Sequence, residues 1–326
     1  MIRVKQRQGQ MLRRSPARTA ARRFPRQNPS QKAHAIQLAA KRSHHTTDGS
    51  PPVQRLPARD ASFRGRRRDP QPSQIKLSCM STALSVAGII PARLASTRLS
   101  RKVLRLIAGR PMVEWVFRAA QASACMDPVV VATDSDEVAA VCHERGIPCA
   151  MTSADCASGS DRVREVAAHI DADIYVNIQG DEPTITLDFF PPLLALFSRP
   201  EVQVATLAVR CPAEDIHNPS AVKVVTSADD KALYFSRSTI PFDRDAGGFA
   251  GYRKHLGIYA YRKSALERFA ALPPGWLESV EKLEQLRLLE NGIDIYVAPA
   301  PHDTIGVDTE EDLARAEAAL LQRNSN

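Results

Sequence analysis

The fold of this chain is decided by residues 86–104, VAGIIPARLASTRLSRKVL. The first five residues are apolar and rich in β-branched side chains, which is typical of a buried strand in a parallel sheet. Pro91 ends this strand because proline has no N–H to donate to the ladder. Four cations then follow within ten residues: Arg93, Arg98, Arg101 and Lys102. The sequence therefore predicts a strand that runs directly into a cationic loop.

A cationic loop in this position is a candidate anion-binding site. Open α/β sheets bind their ligands beyond the carboxyl ends of their strands. Arginine forks and a lysine point charge both suit phosphate groups. On this stretch alone, a simple solvated basic loop explains the residues equally well.

Beyond the loop, strands alternate with helices as far as residue 180. Buried strands are predicted at 129–132, 148–151 and 173–179, with helices between them and short connections. This alternation is typical of a mostly parallel sheet covered by helices on both faces. The second half predicts strands at 202–209, 255–261 and 293–297, an antiparallel hairpin at 222–225 and 232–235, and helices at 279–290 and 310–321. We therefore expect an α/β fold with a mixed, mostly parallel sheet and a smaller antiparallel lobe.

The charge of the chain is divided unevenly between its two parts. The formal net charge is +8, but residues 1–80 hold 19 Lys and Arg and three acids, which leaves 25 basic and 33 acidic residues in 81–326. Residues 1–80 have no apolar periodicity, so we predict a disordered basic extension there and a single folded domain over 81–326. The extension has three interpretations: an organelle transit peptide, an arm that binds nucleic acid, or a segment upstream of a true start at Met80. Nucleic acid is the least favoured, because only Phe24 and Phe63 could stack on bases.

Several classes of protein are disfavoured by motifs that the sequence lacks. The six cysteines have no Cys-x-x-Cys spacing, which argues against zinc and favours reduced thiols in the cytoplasm. No apolar run is long enough to span a membrane. The glycine motifs of dinucleotide-binding, P-loop and serine hydrolase proteins are also missing.

Two carboxylates stand where a metal bound to a nucleotide could be held. Asp181 follows a predicted buried strand in Gln179-Gly180-Asp181-Glu182-Pro183, and Asp308 precedes the last helix in Gly306-Val307-Asp308-Thr309. Mg²⁺ is usually held by one or two carboxylates together with substrate phosphates. Each aspartate could instead simply cap a turn or a helix. Arg237, His255 and Glu284-Gln285 are by default structural or solvated residues.

Six short motifs in this order resemble the 3-deoxy-manno-octulosonate cytidylyltransferase (CMP-Kdo synthetase) family. The motifs are IPARxxSxRLxxK from residue 90, QGDEP from 179, YFSR from 234, HLGIY from 255, LEQLR from 283 and GVDT from 306. The resemblance covers residues 84–320 and implies a Rossmann-like nucleotidyltransferase fold. It also implies a Mg²⁺-dependent homodimer that makes CMP-Kdo and pyrophosphate from CTP and the sugar acid Kdo, for lipopolysaccharide. Enzymes acting on 8-amino-Kdo or neuraminate are the alternative within the same chemistry.

The resemblance also implies a role for each site residue. It assigns the catalytic roles to Arg93, Lys102 and Asp181, and the metal to Asp181 and Asp308. It assigns the nucleotide to Arg93, Ser96, Arg98, Lys102, Ser158, Arg162 and Gln179. It assigns the sugar to Arg237, His255, Tyr259, Glu284 and Gln285. One departure is notable: the family commonly reads RLPGKPL where this chain reads RLSRKVL at 98–104, so we expect a looser loop here.

Overall fold

The computed structural model describes residues 84–94, 99–156 and 158–324. The chain divides into two units, Met1–Gln71 and Pro72–Asn326, and every described residue belongs to the second unit. The extension predicted over 1–80 lies outside the described residues. Within the described part of the chain, no helix is both long enough and apolar enough to cross a membrane.

A nine-stranded sheet forms the centre of the second unit. Its strands are β1 (Val86–Pro91), β4 (Val129–Thr133), β5 (Cys149–Met151), β6 (Ile174–Asn177), β7 (Val204–Arg210), β8 (Lys223–Thr226), β9 (Ala232–Ser236), β10 (Arg253–Arg262) and β11 (Ile295–Pro299), and a separate two-stranded sheet pairs β2 (Leu106–Ile107) with β3 (Arg110–Pro111). The main order is β11-β7-β10-β6-β1-β4-β5. Every neighbouring pair along it is parallel except those of β10, which runs antiparallel to both β6 and β7. The predicted α/β class with a mixed, mostly parallel sheet is confirmed.

Helices cover both faces of this sheet. They are α1 (Met112–Ala122), α2 (Asp136–Glu144), α3 (Gly159–Ala167), α4 (Phe190–Ala195), α5 (Lys263–Ala271), α6 (Trp276–Glu281), α7 (Gln285–Glu290) and α8 (Glu310–Asn324). One apolar core holds side chains of α1, α2 and α4, and a second holds those of α3, α5 and α7. Successive residues of β1 alternate between the cores, since Ile90 belongs to the first and Ile89 to the second. Both faces of β1 are therefore buried, as its apolar composition requires.

The smaller antiparallel lobe extends from the amino end of β10. Strands β8 and β9 form the predicted hairpin, and Lys254 of β10 pairs with Lys223 of β8. The single helix predicted at 279–290 is wrong, because the chain breaks into α6 and α7 at Lys282, whose φ is 56°. The Arg237 guanidinium donates hydrogen bonds to the carbonyl oxygens of Glu281 and Lys282. These carbonyl groups at the end of α6 therefore have hydrogen-bond partners although the helix stops there.

The strand order brings several chain segments to one edge of the sheet. The parallel strands β1 and β6 are neighbours, and Ile89 lies opposite Asn177, so both strands end together. Strand β10 lies on the other side of β6, with Tyr259 opposite Asn177. Because β10 is antiparallel, the residues that precede Tyr259 extend past the end of β6 at the same edge. This register places the HLGIY segment beside the ends of β1 and β6.

Gly180 allows the loop after β6 to pass close to the end of β1. A Cβ on Gly180 would lie 2.7 Å from the carbonyl oxygen of Pro91, a contact that real side chains do not make. The glycine is therefore explained by the approach of two backbones.

Replacing Gly180 with alanine is expected to lower the free energy of unfolding by about 1–3 kcal/mol, because the new methyl group overlaps backbone. Urea denaturation measures this loss. Gly247→Ala is the matched control, since a Cβ there meets no atom within 4 Å, and it should change stability by less than about 1 kcal/mol. Equal midpoints for the two variants would contradict the explanation.

Candidate active site

Lys102 joins the two candidate metal ligands in one cluster. Its Nζ donates a hydrogen bond of 2.6 Å to Oδ2 of Asp181 and another of 2.9 Å to Oδ1 of Asp308. The burial of Lys102 lowers its pKa, but the charge of Asp181 and the hydrogen bonds to both carboxylates outweigh burial, so the pKa is raised above its ordinary value. Lys102 is therefore a cation at neutral pH, and the two acids converge on it from segments about 80 and 200 residues away along the chain.

Local packing holds each member of this cluster in place. Leu99 lies in a small core with side chains of α1 and α8, which fixes the loop before Lys102 next to the helix that follows Asp308. The backbone N–H of Val307 donates to the carbonyl oxygen of Asp181, which ties the two acidic loops together. The cap of α8 is supplied by Thr309, whose hydroxyl accepts from the N–H of Asp312. Thr309, and not the Asp308 carboxylate, therefore supplies this cap.

Arg101 adopts a conformation that favours glycine. Its φ of 55° and ψ of 35° lie in the left-handed region, immediately before the short 3₁₀ helix Lys102–Leu104. Arginine is costlier than glycine in this backbone conformation, because its Cβ approaches the following carbonyl oxygen. The Arg101 guanidinium pairs with Glu137 of α2, an exposed ion pair of small value.

A cleft of about 740 Å³ opens beside the cluster. Nine of the predicted site residues line it: Arg93, Ser158, Gln179, Arg237, His255, Tyr259, Glu284, Gln285 and Asp308. Lys102 and Asp181 do not line the cleft themselves, but Lys102 donates a hydrogen bond to Asp308, which does line it. The structure thus brings together residues that the sequence separates by more than 200 positions.

The break between α6 and α7 turns two predicted sugar-binding residues into the cleft. Glu284 and Gln285 begin α7, and Gln285 is buried while lining the cleft. Burial raises the pKa of the Glu284 carboxyl, although hydrogen bonds from Ser160 and Ser158 oppose this. An unbroken helix would leave this pair on its solvent face, which is the default interpretation of the sequence.

His255 and Tyr259 are both buried on β10. Burial alone lowers the pKa of His255 to about 3, so the imidazole is neutral at physiological pH. Its Nε2 lies 3.0 Å from the Thr206 hydroxyl. Burial likewise raises the pKa of Tyr259 well above its ordinary value, and its hydroxyl has no hydrogen-bond partner among the described residues. Both groups can therefore bind a ligand as neutral hydrogen-bonding groups.

Arg237 reaches the cleft while it holds the lobe together. Its guanidinium donates to three backbone carbonyl oxygens, those of Pro219, Glu281 and Lys282. A guanidinium carries five N–H donors, so two remain for a ligand.

One predicted nucleotide-binding residue, Arg162, lies away from the cleft, and two others are not described. Arg162 is buried outside the cleft lining, where it donates to the Asp134 carboxylate at 3.0 Å and to the Thr152 hydroxyl, and so joins α3 to the ends of β4 and β5. Ser96 and Arg98 lie outside the described residues. The binding roles assigned to the site residues stay predictions.

Sequence reasoning missed a second group of polar residues in the cleft. Burial raises the pKa of Glu182 to about 7, helped by the charge of Asp181, and its Oε2 has no hydrogen-bond partner among the described residues. Lys254 donates to Asp215 and Asp303 at 2.8 and 3.0 Å, in the same part of the cleft. The only sequence signal for Glu182 is its place directly after Asp181, where an acid is also expected as a turn residue.

The fold and the site together define a nucleotidyltransferase. The parallel half of the sheet carries a basic loop after its first strand, and two acids meet a lysine beside a deep polar cleft at the strand ends. A family model described as Cytidylyltransferase matches residues 87–295.

Relatives with known names identify the family. A 3-deoxy-manno-octulosonate cytidylyltransferase of Acidobacterium capsulatum is 64% identical over 242 residues, which cover 74% of this chain and 99% of the relative. The enzyme of the same name from Koribacter versatilis is 55% identical over 236 residues, or 72% of this chain and 90% of the relative. A structure of CMP:2-keto-3-deoxy-manno-octonic acid synthetase complexed with CTP superposes with a TM-score of 0.70 at 41% identity, covering 73% of this chain and 99% of the other. The chain belongs to the 3-deoxy-manno-octulosonate cytidylyltransferase family, and the resemblance carried by the six motifs is confirmed.

Arg101→Gly is expected to raise the free energy of unfolding by up to about 1 kcal/mol, because glycine adopts the left-handed conformation without the Cβ clash. Thermal and urea unfolding measure this gain, and the variant should retain activity. Ser100→Gly is the matched control: Ser100 is exposed and has no positive φ, so glycine there should be neutral or destabilising. A loss of stability in Arg101→Gly larger than that in Ser100→Gly would refute the assignment of strain to Arg101.

Proposed function

We propose that this chain transfers a cytidylyl group from CTP to Kdo and releases pyrophosphate. The observation that carries the proposal is the cluster of Lys102 with Asp181 and Asp308 beside the cleft, in a member of the family named for this reaction. In the reaction, the anomeric hydroxyl oxygen of the sugar forms a bond to the α-phosphorus of CTP. The bond from that phosphorus to the bridging oxygen of pyrophosphate breaks, and the hydroxyl proton is lost.

Charge is the main obstacle to this reaction. A sugar carboxylate must approach a polyanionic nucleotide, and further negative charge develops on the departing pyrophosphate. Catalysis therefore depends on positioning and on fixed positive charge near the phosphates. Arg93 lines the cleft and Lys102 stands at its edge, and this placement supports their role in neutralising the triphosphate. Gln179 also lines the cleft and lies near both Gly159 and Gly257, a placement that supports its role in binding the nucleotide.

The acids of the cluster suit a divalent metal. One ammonium nitrogen lies within hydrogen-bond distance of both carboxylates, so Asp181 and Asp308 converge on a single position where a cation is favoured. No group of three or more metal-ligating side chains occurs in the parts of the chain that the structure covers. Two carboxylates completed by phosphate oxygens and water make an all-oxygen set of ligands. Such a set suits Mg²⁺, whereas zinc is usually bound by nitrogen and sulfur ligands. Asp181 and Asp308 would hold Mg²⁺, which when bound supplies charge neutralisation and makes the hydroxyl more acidic.

Other residues of the cleft lining offer hydrogen bonds suited to a sugar acid. Arg237 has two N–H donors left for a carboxylate, and an arginine fork matches that group. His255, Tyr259, Glu284 and Gln285 provide buried donors and acceptors for hydroxyl groups. The rival sugar acids, 8-amino-Kdo and neuraminate, are not favoured, because the relatives are named for Kdo.

Product analysis tests the proposal directly. The full chain is incubated with Mg²⁺, Kdo and each nucleoside triphosphate in turn, and the products are identified by mass. We expect CMP-Kdo and pyrophosphate from CTP alone. Faster turnover with neuraminate or 8-amino-Kdo in competition, or equal use of UTP, would contradict the assignment.

We also propose a homodimer located in the cytoplasm. Large exposed apolar side chains on the antiparallel lobe and α6, namely Leu233, Phe242, Trp276 and Val280, support a protein interface there. A nucleoside triphosphate donor supports a compartment that holds nucleotides. Light scattering of the purified chain should give twice the mass of one chain, and a monomeric mass at micromolar concentration would contradict the dimer.

Asp181→Asn is expected to reduce turnover by at least about 10²–10³-fold, because the amide keeps the shape of the side chain but loses the negative charge that would hold Mg²⁺. Pyrophosphate release measures turnover, and chelation of divalent ions should abolish it in the unaltered chain. Asp294→Asn is the matched control, since Asp294 is exposed, pairs with Lys231 and does not line the cleft. A loss smaller than about tenfold in Asp181→Asn would contradict the metal role of this carboxylate.

A further inference from the structure

Thr206 lies behind the sugar end of the cleft, at an irregularity in the sheet. Strands β7 and β10 pair regularly up to Leu256 opposite Leu207, and pairing resumes with Tyr259 opposite Thr206. Gly257 and Ile258 are left without a partner on β7, which is a bulge of two residues. Thr206 is fully buried at this point.

The Thr206 hydroxyl contacts three groups across the bulge. Its Oγ1 lies 2.8 Å from the carbonyl oxygen of Ile258, 3.3 Å from that of Leu256 and 3.0 Å from Nε2 of His255. A hydroxyl has one hydrogen to donate, and a carbonyl oxygen can only accept. Two oxygen atoms 2.8 Å apart in a buried site repel each other unless a hydrogen lies between them, so the hydroxyl hydrogen points to Ile258.

This geometry determines where the proton of His255 lies. Because the Thr206 hydroxyl donates to Ile258, it can only accept from the imidazole, and Nε2 must carry the hydrogen. The burial of His255 keeps the ring neutral, so Nδ1 then carries a lone pair. Among the described residues no protein group donates to Nδ1, and His255 lines the cleft. A bound molecule therefore meets a hydrogen-bond acceptor at this ring.

We propose that Thr206 is a positioning residue that holds His255 as the Nε2–H tautomer, so that Nδ1 accepts a hydrogen bond from a hydroxyl group of the sugar acid. The proposal rests on the proposed function for the identity of the ligand, while the tautomer follows from the protein alone. The ring is held from its sides as well, because Phe235 lies edge-on with centroids 5.0 Å apart and Tyr259 is tilted against it at 5.3 Å. Thr206 thus determines which ring nitrogen carries the hydrogen, and the aromatic neighbours determine the orientation of the ring plane.

The consequence is selectivity for ligands that can donate a hydrogen bond to Nδ1 of His255. An acceptor fixed by a buried network cannot reorganise to suit a ligand that lacks the hydroxyl hydrogen, and a site of this kind discriminates strongly. If the hydroxyl of Thr206 is removed, His255 can carry its proton on Nδ1, which would then meet the sugar hydroxyl as a second donor. Removing the hydroxyl should therefore weaken the binding of the sugar and leave the binding of the nucleotide unchanged.

The first experiment measures the tautomer without any substrate. In the full chain labelled with ¹⁵N at histidine, the imidazole nitrogen shifts distinguish a protonated from an unprotonated Nδ1, and His255→Gln assigns the resonance among the eight histidines. We expect Nε2–H in the unaltered chain at neutral pH. A protonated Nδ1 there would overturn the proposal, and this result needs no variant of Thr206 to fold.

The second experiment compares Thr206→Val with Thr206→Ser by steady-state kinetics. Valine keeps the shape of threonine but removes the hydroxyl, so KM for Kdo should rise about tenfold or more while KM for CTP changes less than about twofold. Serine keeps the hydroxyl and should restore KM for Kdo to within about threefold. A parallel rise of both KM values, or a serine variant as impaired as the valine variant, would overturn the proposal.

The two experiments separate this inference from the proposed function. If the unaltered chain makes CMP-Kdo but its Nδ1 is protonated, the inference fails and the function stands. If the chain makes no CMP-Kdo, the proposed function fails, and the role of the sugar hydroxyl in this inference fails with it.

Discussion

The structure depends on one interaction, the contact of the Lys102 ammonium with the carboxylates of Asp181 and Asp308. Without a cation between them, two carboxylates held this close would repel each other and force the loop after β6 away from the segment before α8. The apolar contacts of Leu99 and the hydrogen bond from Val307 to Asp181 support the same arrangement from outside. A cation is therefore built into the folded chain where the two acidic loops meet, and the loop that carries it is attached to the last helix.

A single strand of reversed direction makes the second half of the site. In a wholly parallel sheet, the edge next to β6 would be lined by another strand end followed by a loop. Here β10 enters the sheet antiparallel, so its amino half, including His255, extends past the end of β6 and stays paired with β7 on the far side of a bulge. Side chains on a strand are held more firmly than those on a loop, which suits a pocket that must distinguish similar sugar acids. The bulge at Gly257 and Ile258 lies next to Gln179, whose Cγ would be 3.4 Å from a Cβ on Gly257.

Much of this arrangement could be read from the sequence, and the failures have physical causes. Strand β1, the hairpin and the cap at Thr309 follow from composition and local hydrogen bonding, which act over a few residues. The break at Lys282 could not be predicted, because its left-handed backbone is stabilised by Arg237, which directly follows β9 and is 45 residues away. The burial of Arg162 could not be predicted either, because its partners Asp134 and Thr152 lie 28 and 10 residues away along the chain and meet it only in the fold. Local patterns predict elements, whereas long-range pairs decide which side chains face the cleft.

Burial and pairing give the polar groups around the cleft two different characters. Lys102, paired with two carboxylates, has a raised pKa and stays charged, so its interactions reach far and weaken with salt. Elsewhere in the cleft, burial keeps His255 neutral, raises the pKa of Tyr259 and raises that of Glu284. Neutral buried groups attract little at a distance, but each one left without a partner costs free energy, so they reject ligands with a misplaced hydroxyl. In the function proposed above, Lys102 and the Arg237 guanidinium attract the two anions, whereas the neutral buried groups select the sugar through hydrogen-bond geometry.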